Sequence, residues 1–219
     1  MRLPALFTRI VFRASQLVLL LVLPFVMLIR GGVWLHVAWG VSPWLAMGGG
    51  FALSGTLLLL YLIYLQHRVW GRIPAWKFLR WQSALVMALV MVYGAPALFT
   101  LSLANAKSGA VRSEFRSMHP VLRMGVSTLI WMDPGLVLTD AERKPEDYAA
   151  MGLPARAGSL HFKQPDGYTH AVDIRTLGRR SWRNALSRLY FEAMGFTCSR
   201  HVGTADHLHV SLPARDVRS

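Results

Sequence analysis

WLAMGGGFALSGTLLLLYLIYL, residues 44–65, runs for 22 residues without a charge. A helix rises about 1.5 Å per residue, so a stretch of this length crosses the ~30 Å apolar layer of a bilayer. Two further runs accompany it: SALVMALVMVYGAPALFTLSL (residues 83–103) and QLVLLLVLPFVMLI (residues 16–29), the latter close to span length with its apolar neighbours. They account for the composition of the 219 residues, 53% hydrophobic and only 16% charged with a mean hydropathy of +0.36. A water-soluble domain carries about 25% charged residues. The sequence predicts an α+β protein: three N-terminal transmembrane helices over residues 1–103, a juxtamembrane linker over 104–119, and a small antiparallel-sheet domain with flanking helices over 120–219.

The first run follows Arg2, Arg9 and Arg13, as in a signal peptide. No small-x-small cleavage site follows it, and Arg30-Gly31-Gly32 leads into more apolar sequence, so it reads as a retained anchor. Arg2, Arg9 and Arg13 at the N-terminus, and Arg68, Arg72, Lys77 and Arg80 around the second connection, outweigh Arg30 at the first. The positive-inside bias then puts the N-terminus in the cytoplasm and residue 104 onward outside a multi-pass inner (cytoplasmic) membrane. Trp34, Trp39 and Trp44 mark the outer boundary, and Trp70, Trp76 and Trp81 the inner one. Gly48-Gly49-Gly50 and Gly55 either permit close helix packing or are merely tolerated by lipid.

The net charge of +13 does not point to nucleic acid. Residues 1–103 hold 8 of the 24 Lys/Arg and no acid; the remainder holds the other 16 with all 11 acids, and neither half has a dense basic run. The expected non-protein partner is the lipid bilayer. One cysteine, Cys198, excludes an internal disulfide framework and any multi-cysteine metal site, and no Cys–His arrangement marks it as a nucleophile.

Beyond residue 120 the pattern changes. Pro120 to Met132 reads as a buried helix opened by proline and stopped by Asp133-Pro134-Gly135. Leu136–Thr139 is a short strand, and Glu146–Met151 a short helix before Gly152. Gly158–Phe162 and Tyr168–Ile174 read as two strands joined by the turn Gln164-Pro165-Asp166-Gly167. Ser181 caps a helix presenting Trp182, Ala185, Leu186, Leu189, Tyr190 and Ala193 on one face, with Gly195 just past its end. In the last strand, His207–Leu212, alternation puts His207, His209 and Ser211 on one face and Leu208, Val210 and Leu212 on the other.

The histidines carry the chemistry. Two imidazoles at i and i+2 on one strand face lie about 7 Å apart, which suits one metal ligand beside a proton-transferring neighbour. His161, Asp173 and one histidine of the His207/His209 pair, from three strands, would give three ligands with an open fourth position, the catalytic type of zinc geometry. His170 is an alternative first ligand, but in a regular strand it points away from Asp173. Pairing across the Pro165-Asp166-Gly167 turn would bring His161 beside Asp173.

Ser159-Leu-His161, Gly167, His170-Ala-Val-Asp-Ile174 and Asp206-His-Leu-His-Val-Ser-Leu212 resemble the zinc peptidases of the D-Ala-D-Ala metallopeptidase, lysostaphin and hedgehog superfamily. The helix ending in Ala-Met-Gly-Phe196 is similar to its carboxypeptidase/endopeptidase branch. The resemblance covers residues 120–212 and none of the spans. Two positions depart from the family pattern: the His161-to-Asp173 interval is longer than usual, and Thr169 stands where the family has glycine. The resemblance implies Zn2+ held by His161, Asp173 and His209, and a peptidase acting on peptidoglycan stem peptides in the periplasm. It also implies a general base, at Asp206 or His207, and a substrate-steadying arginine, to which Arg143 is the loose match. A non-catalytic member binding wall peptides or a membrane partner is the alternative.

Overall fold

The computed structural model describes residues 3–144, 146, 158–202 and 206–213. Three helices are long and apolar enough to cross a membrane: α1 (Leu3–Trp39), α2 (Pro43–Trp70) and α3 (Trp76–Phe99). α1 does not stop at Ile29; it runs through Pro24 and Arg30-Gly31-Gly32 for 37 residues. At about 1.5 Å per residue that is about 55 Å, well beyond the ~30 Å a bilayer requires. Only residues 40–42 separate α1 from α2, with Gly40 at φ +65° making the turn. Arg30 therefore lies within a helix rather than in the first connection.

The glycines of α2 differ sharply in role. A Cβ on Gly50 would stand 2.2 Å from the Leu28 carbonyl oxygen, and one on Gly49 would stand 2.3 Å from the Leu35 side chain. Gly48 faces open space. Two of the three thus let α1 and α2 approach closely, the packing mode of small residues in membranes.

Residues 104–119 hold short helical segments. They form α4 (Gly109–Glu114), capped by Ser108, and a 3-10 turn (Phe115–Ser117), and they bury Val111, Phe115, Met118 and His119. α5 (Pro120–Met132) follows as expected, with proline in its first turn and residues 120–129 all buried. It lies across the end of the three spans. Arg123 donates to the Leu98 carbonyl at 2.9 Å and Ser127 to the Ala97 carbonyl at 2.7 Å.

β1 (Leu138–Asp140), β2 (Ala171–Arg175), α6 (Ser181–Ala193), β3 (Thr197–His201) and β4 (His207–Ser211) complete the described elements. The sheet is antiparallel in the order β1-β2-β4-β3. Its Val172, Ile174, Leu208 and Val210 face is buried in one core with Met124, Phe191 and Phe196. That core also contains Leu28, Ile29 and Val33 of α1 and Met47 and Phe51 of α2. The spans and the sheet domain share one apolar interior.

Three expectations need correction. Residues 158–162 form turns, not a strand, and β2 begins only at Ala171. A strand has two edges, and β1 and β4 occupy both edges of β2. Thr169 donates to the Ser117 carbonyl and accepts from the His119 amide, both at 2.9 Å, while a short antiparallel pairing across the expected turn remains, with Gln164 N–H to the Tyr168 carbonyl and His170 N–H to the Leu160 carbonyl at 2.8 Å. Second, Arg180 rather than Ser181 occupies the α6 N-cap, and the buried side of α6 is Asn184, Ser187 and Phe191. Trp182, Leu186 and Leu189 are exposed. The Asn184 amide donates to the Thr176 carbonyl and the Tyr190 hydroxyl to the Gly125 carbonyl, which sets the helix rotation. Third, β3 was unexpected: as an exposed edge strand it lacks apolar alternation. Gly195 does terminate α6, at φ +93°. The expected helix at Glu146–Met151 lies, beyond Glu146, outside the described residues.

Candidate metal centre

Asp173 and His209 are directly opposed in the β2–β4 ladder, so their side chains share a face. Leu208 and Val210 pack the other face, which is why the alternation in β4 aims His207 and His209 outward. His161 reaches the same point from its turn. Its carbonyl accepts from the Arg143 amide at 3.0 Å, and its Nδ1 lies 3.2 Å from the Ala141 carbonyl. Only a ring N–H can bond to a carbonyl oxygen, so Nδ1 carries the proton and Nε2 offers its lone pair. Metal-binding histidines are oriented in this way.

The donor atoms form a near-regular triangle. His161 Nε2 is 3.2 Å from His209 Nδ1 and 3.3 Å from Asp173 Oδ1, and the third edge, His209 Nδ1 to Asp173 Oδ1, is 2.8 Å. A tetrahedral ion with bonds of ~2.0–2.1 Å places its ligands about 3.3–3.4 Å apart. Two of the three edges meet that spacing, so the donor set can hold a metal ion with one open position. His161 and Asp173 are buried, whereas His209 is about a quarter exposed, so the open side faces solvent past β4.

Burial alone would raise the Asp173 pKa. The close rings of His161, His209 and His207 hold it net below the usual carboxylate range. Its second oxygen accepts from Arg143 Nη2 at 2.6 Å, and Arg143 Nε pairs with Asp140. Arg143 thus braces a candidate ligand. No motif in the sequence marks Asp140 for this role.

The two candidate bases stand in different surroundings. His207 Nε2 is 3.5 Å from Asp173 Oδ2, and its ring stacks on His201 of β3 with centroids 5.0 Å apart. Asp206 is held by Arg200 at 3.0 and 2.6 Å and by the Thr176 hydroxyl at 2.6 Å. Those hydrogen bonds lower its pKa to about 2. His170 lies elsewhere, its Nε2 2.8 Å from Asp166 Oδ2. Cys198 is half-buried in β3, and burial pushes its thiol up to about 12, far from a thiolate nucleophile at neutral pH.

No protein-family model, no curated protein and no solved structure matches the chain.

Proposed function

We propose that the chain is a membrane-anchored, zinc-dependent peptidase acting on peptidoglycan stem peptides outside the cytoplasmic membrane. The observation that carries this reading is the triangle of His161, Asp173 and His209, two of whose three edges suit a tetrahedral ion with one side open to solvent. The sequence resemblance supplies the substrate class, and the arginine bias of the cytoplasmic-type segments supplies the side of the membrane.

A zinc ion at this position would polarise a scissile carbonyl and lower the pKa of water towards about 7. The chain's own groups do the rest. Arg143 holds Asp173 in one orientation, and the Ala141 carbonyl fixes the tautomer of His161. His207, beside the triangle on the exposed face, is placed to take and return a proton. Asp206, bound by Arg200 and Thr176 and ionised at a pKa of about 2, is too weak a base for that task at neutral pH and instead ties β3 to the start of β4.

The full-length chain in detergent micelles, incubated with purified murein and analysed by mass spectrometry, should release stem-peptide fragments. Release should disappear in His209→Ala together with the bound metal. Absence of metal in the wild-type chain at neutral pH would sink the enzyme reading. Metal binding without cleavage would leave the non-catalytic wall-binding alternative.

A further inference from the structure

We propose a second, structural metal site at the junction of membrane helix and sheet domain, formed by His36, Asp166 and His170 with His119 as fourth ligand. These four residues come from the last turn of α1, the N-cap of α5 and the turn leading into β2. Each offers one ligand atom, and all four atoms lie within 4.8 Å of one another. His36 and His119 are fully buried, and Asp166 and His170 are largely so.

The orientation of two of the groups favours a cation. His36 Nδ1 lies 2.9 Å from the Val41 carbonyl, so that nitrogen carries the proton and Nε2 presents its lone pair to the cluster. Asp166 has one oxygen fixed by the Tyr168 amide at 3.2 Å, and the other, Oδ2, points between His170 Nε2 at 2.8 Å and His36 Nε2 at 3.9 Å. The His36 ring centroid is 4.3 Å from that of His119 and 5.6 Å from that of His170. Ligation takes the three imidazoles as neutral donors, so the ion would meet one carboxylate in a largely buried place and offset its charge. His119 is the weakest of the four. Its Nδ1 accepts the α5 cap from the Val121 amide at 3.3 Å, and ligation trades that long hydrogen bond for a metal bond.

The site differs in kind from the His161 triangle. Four protein ligands close a tetrahedron and leave no open position, the structural type of zinc site. Nitrogen and carboxylate donors of this mixture suit Zn2+. A metal here would fasten the protruding end of α1 to β2, which begins one residue after His170 and carries Asp173 on its opposite face.

The full-length chain in micelles, stripped by chelator, reloaded with Zn2+ and freed of unbound ion, should hold two zinc per chain by elemental analysis. His161→Ala/His209→Ala should hold one, His36→Gln/His170→Gln should hold one, and the combined variant none. His119→Ala should retain the second ion with weakened affinity. In His161→Ala/His209→Ala, where only the proposed site remains, Zn2+ should raise Tm, and Co2+ should give the visible absorption of a four-coordinate site. This arm does not depend on how the His36 variants fold. A wild-type chain holding a single zinc that is lost in His161→Ala/His209→Ala overturns the second site and leaves the peptidase reading intact. A Co2+-silent His161→Ala/His209→Ala chain with an unmoved Tm overturns it as well.

Discussion

At the level of single residues, the three members of the triangle and the side chains around them differ in what their loss should do. His161→Ala, Asp173→Ala and His209→Ala each remove one of three donors and should each abolish zinc at that site, read by elemental analysis. Arg143 Nη2 bonds to Asp173 Oδ2, the carboxylate oxygen outside the triangle. Arg143→Ala should leave the site present but weaken zinc affinity by about 10–100-fold, the usual effect of removing a group that orients a ligand. His207→Gln should keep zinc and lower kcat on stem peptides by about 100-fold or more with little change in KM, as loss of a proton-transfer group does. Asp206 gives the contrasting case. Its pKa is about 2 in the fold against ~3.9 unfolded, so its contribution to stability is present above about pH 4 and fades as pH falls towards 2. Asp206→Asn should lower Tm at pH 7, and the gap to wild type should shrink on acidification through that window.

At the scale of elements, the α1–α2 contact is the most exposed to substitution. Gly50→Ala sets a methyl group against the Leu28 backbone, which cannot turn aside as a side chain does. A loss of ~1–3 kcal/mol is expected, the range for overpacking a tight contact. Gly48→Ala, facing open space one turn face away, should be near neutral. Thermal unfolding of both variants in micelles checks the pair. Equal losses would mean that helix flexibility rather than close approach governs these positions.

At the scale of the whole molecule, the spans are more than an anchor. Leu28, Ile29 and Val33 of α1 lie in the same core as Val121, Met124 and Phe196. A Cβ on Gly125 would meet Phe196 at 2.8 Å and Ile29 at 3.8 Å, so helix, span and sheet domain leave little room between them. Arg123 reinforces the junction. Its buried guanidinium lies 5.3 Å from the Trp44 ring and 5.9 Å from both Phe99 and Tyr168, and burial lowers its pKa to about 10. A fragment beginning at residue 104 should therefore fail to give a cooperative unfolding transition, whereas the full chain in micelles should give one. Reporter fusions after Leu103 should be active only with a reporter that works outside the cytoplasm, and fusions at Trp76 should show the reverse. Cytoplasmic activity after Leu103 would separate the domain from murein and remove the proposed substrate.

The sequence by itself determined whatever local patterning encodes. Uncharged length marked the three spans, proline and the Asp133-Pro134-Gly135 stop bounded α5, and strict alternation put His207 and His209 on one face of β4. Period and composition are properties of adjacent residues, so they can be read without knowing the partner. Tertiary structure alone decided which edges and faces were taken. β2 has both edges filled by β1 and β4, so residues 158–162 reach the triangle as a turn held by residues 141–143. α6 turns Asn184 and Phe191 inward because Thr176 and the core receive them, leaving its apolar stripe outside. His36 belongs by sequence to a membrane run, yet α1 is long enough to carry it clear of the bilayer to His119 and His170. Spacing along the chain holds no record of such meetings, since they depend on which surfaces remain free once the other elements have packed.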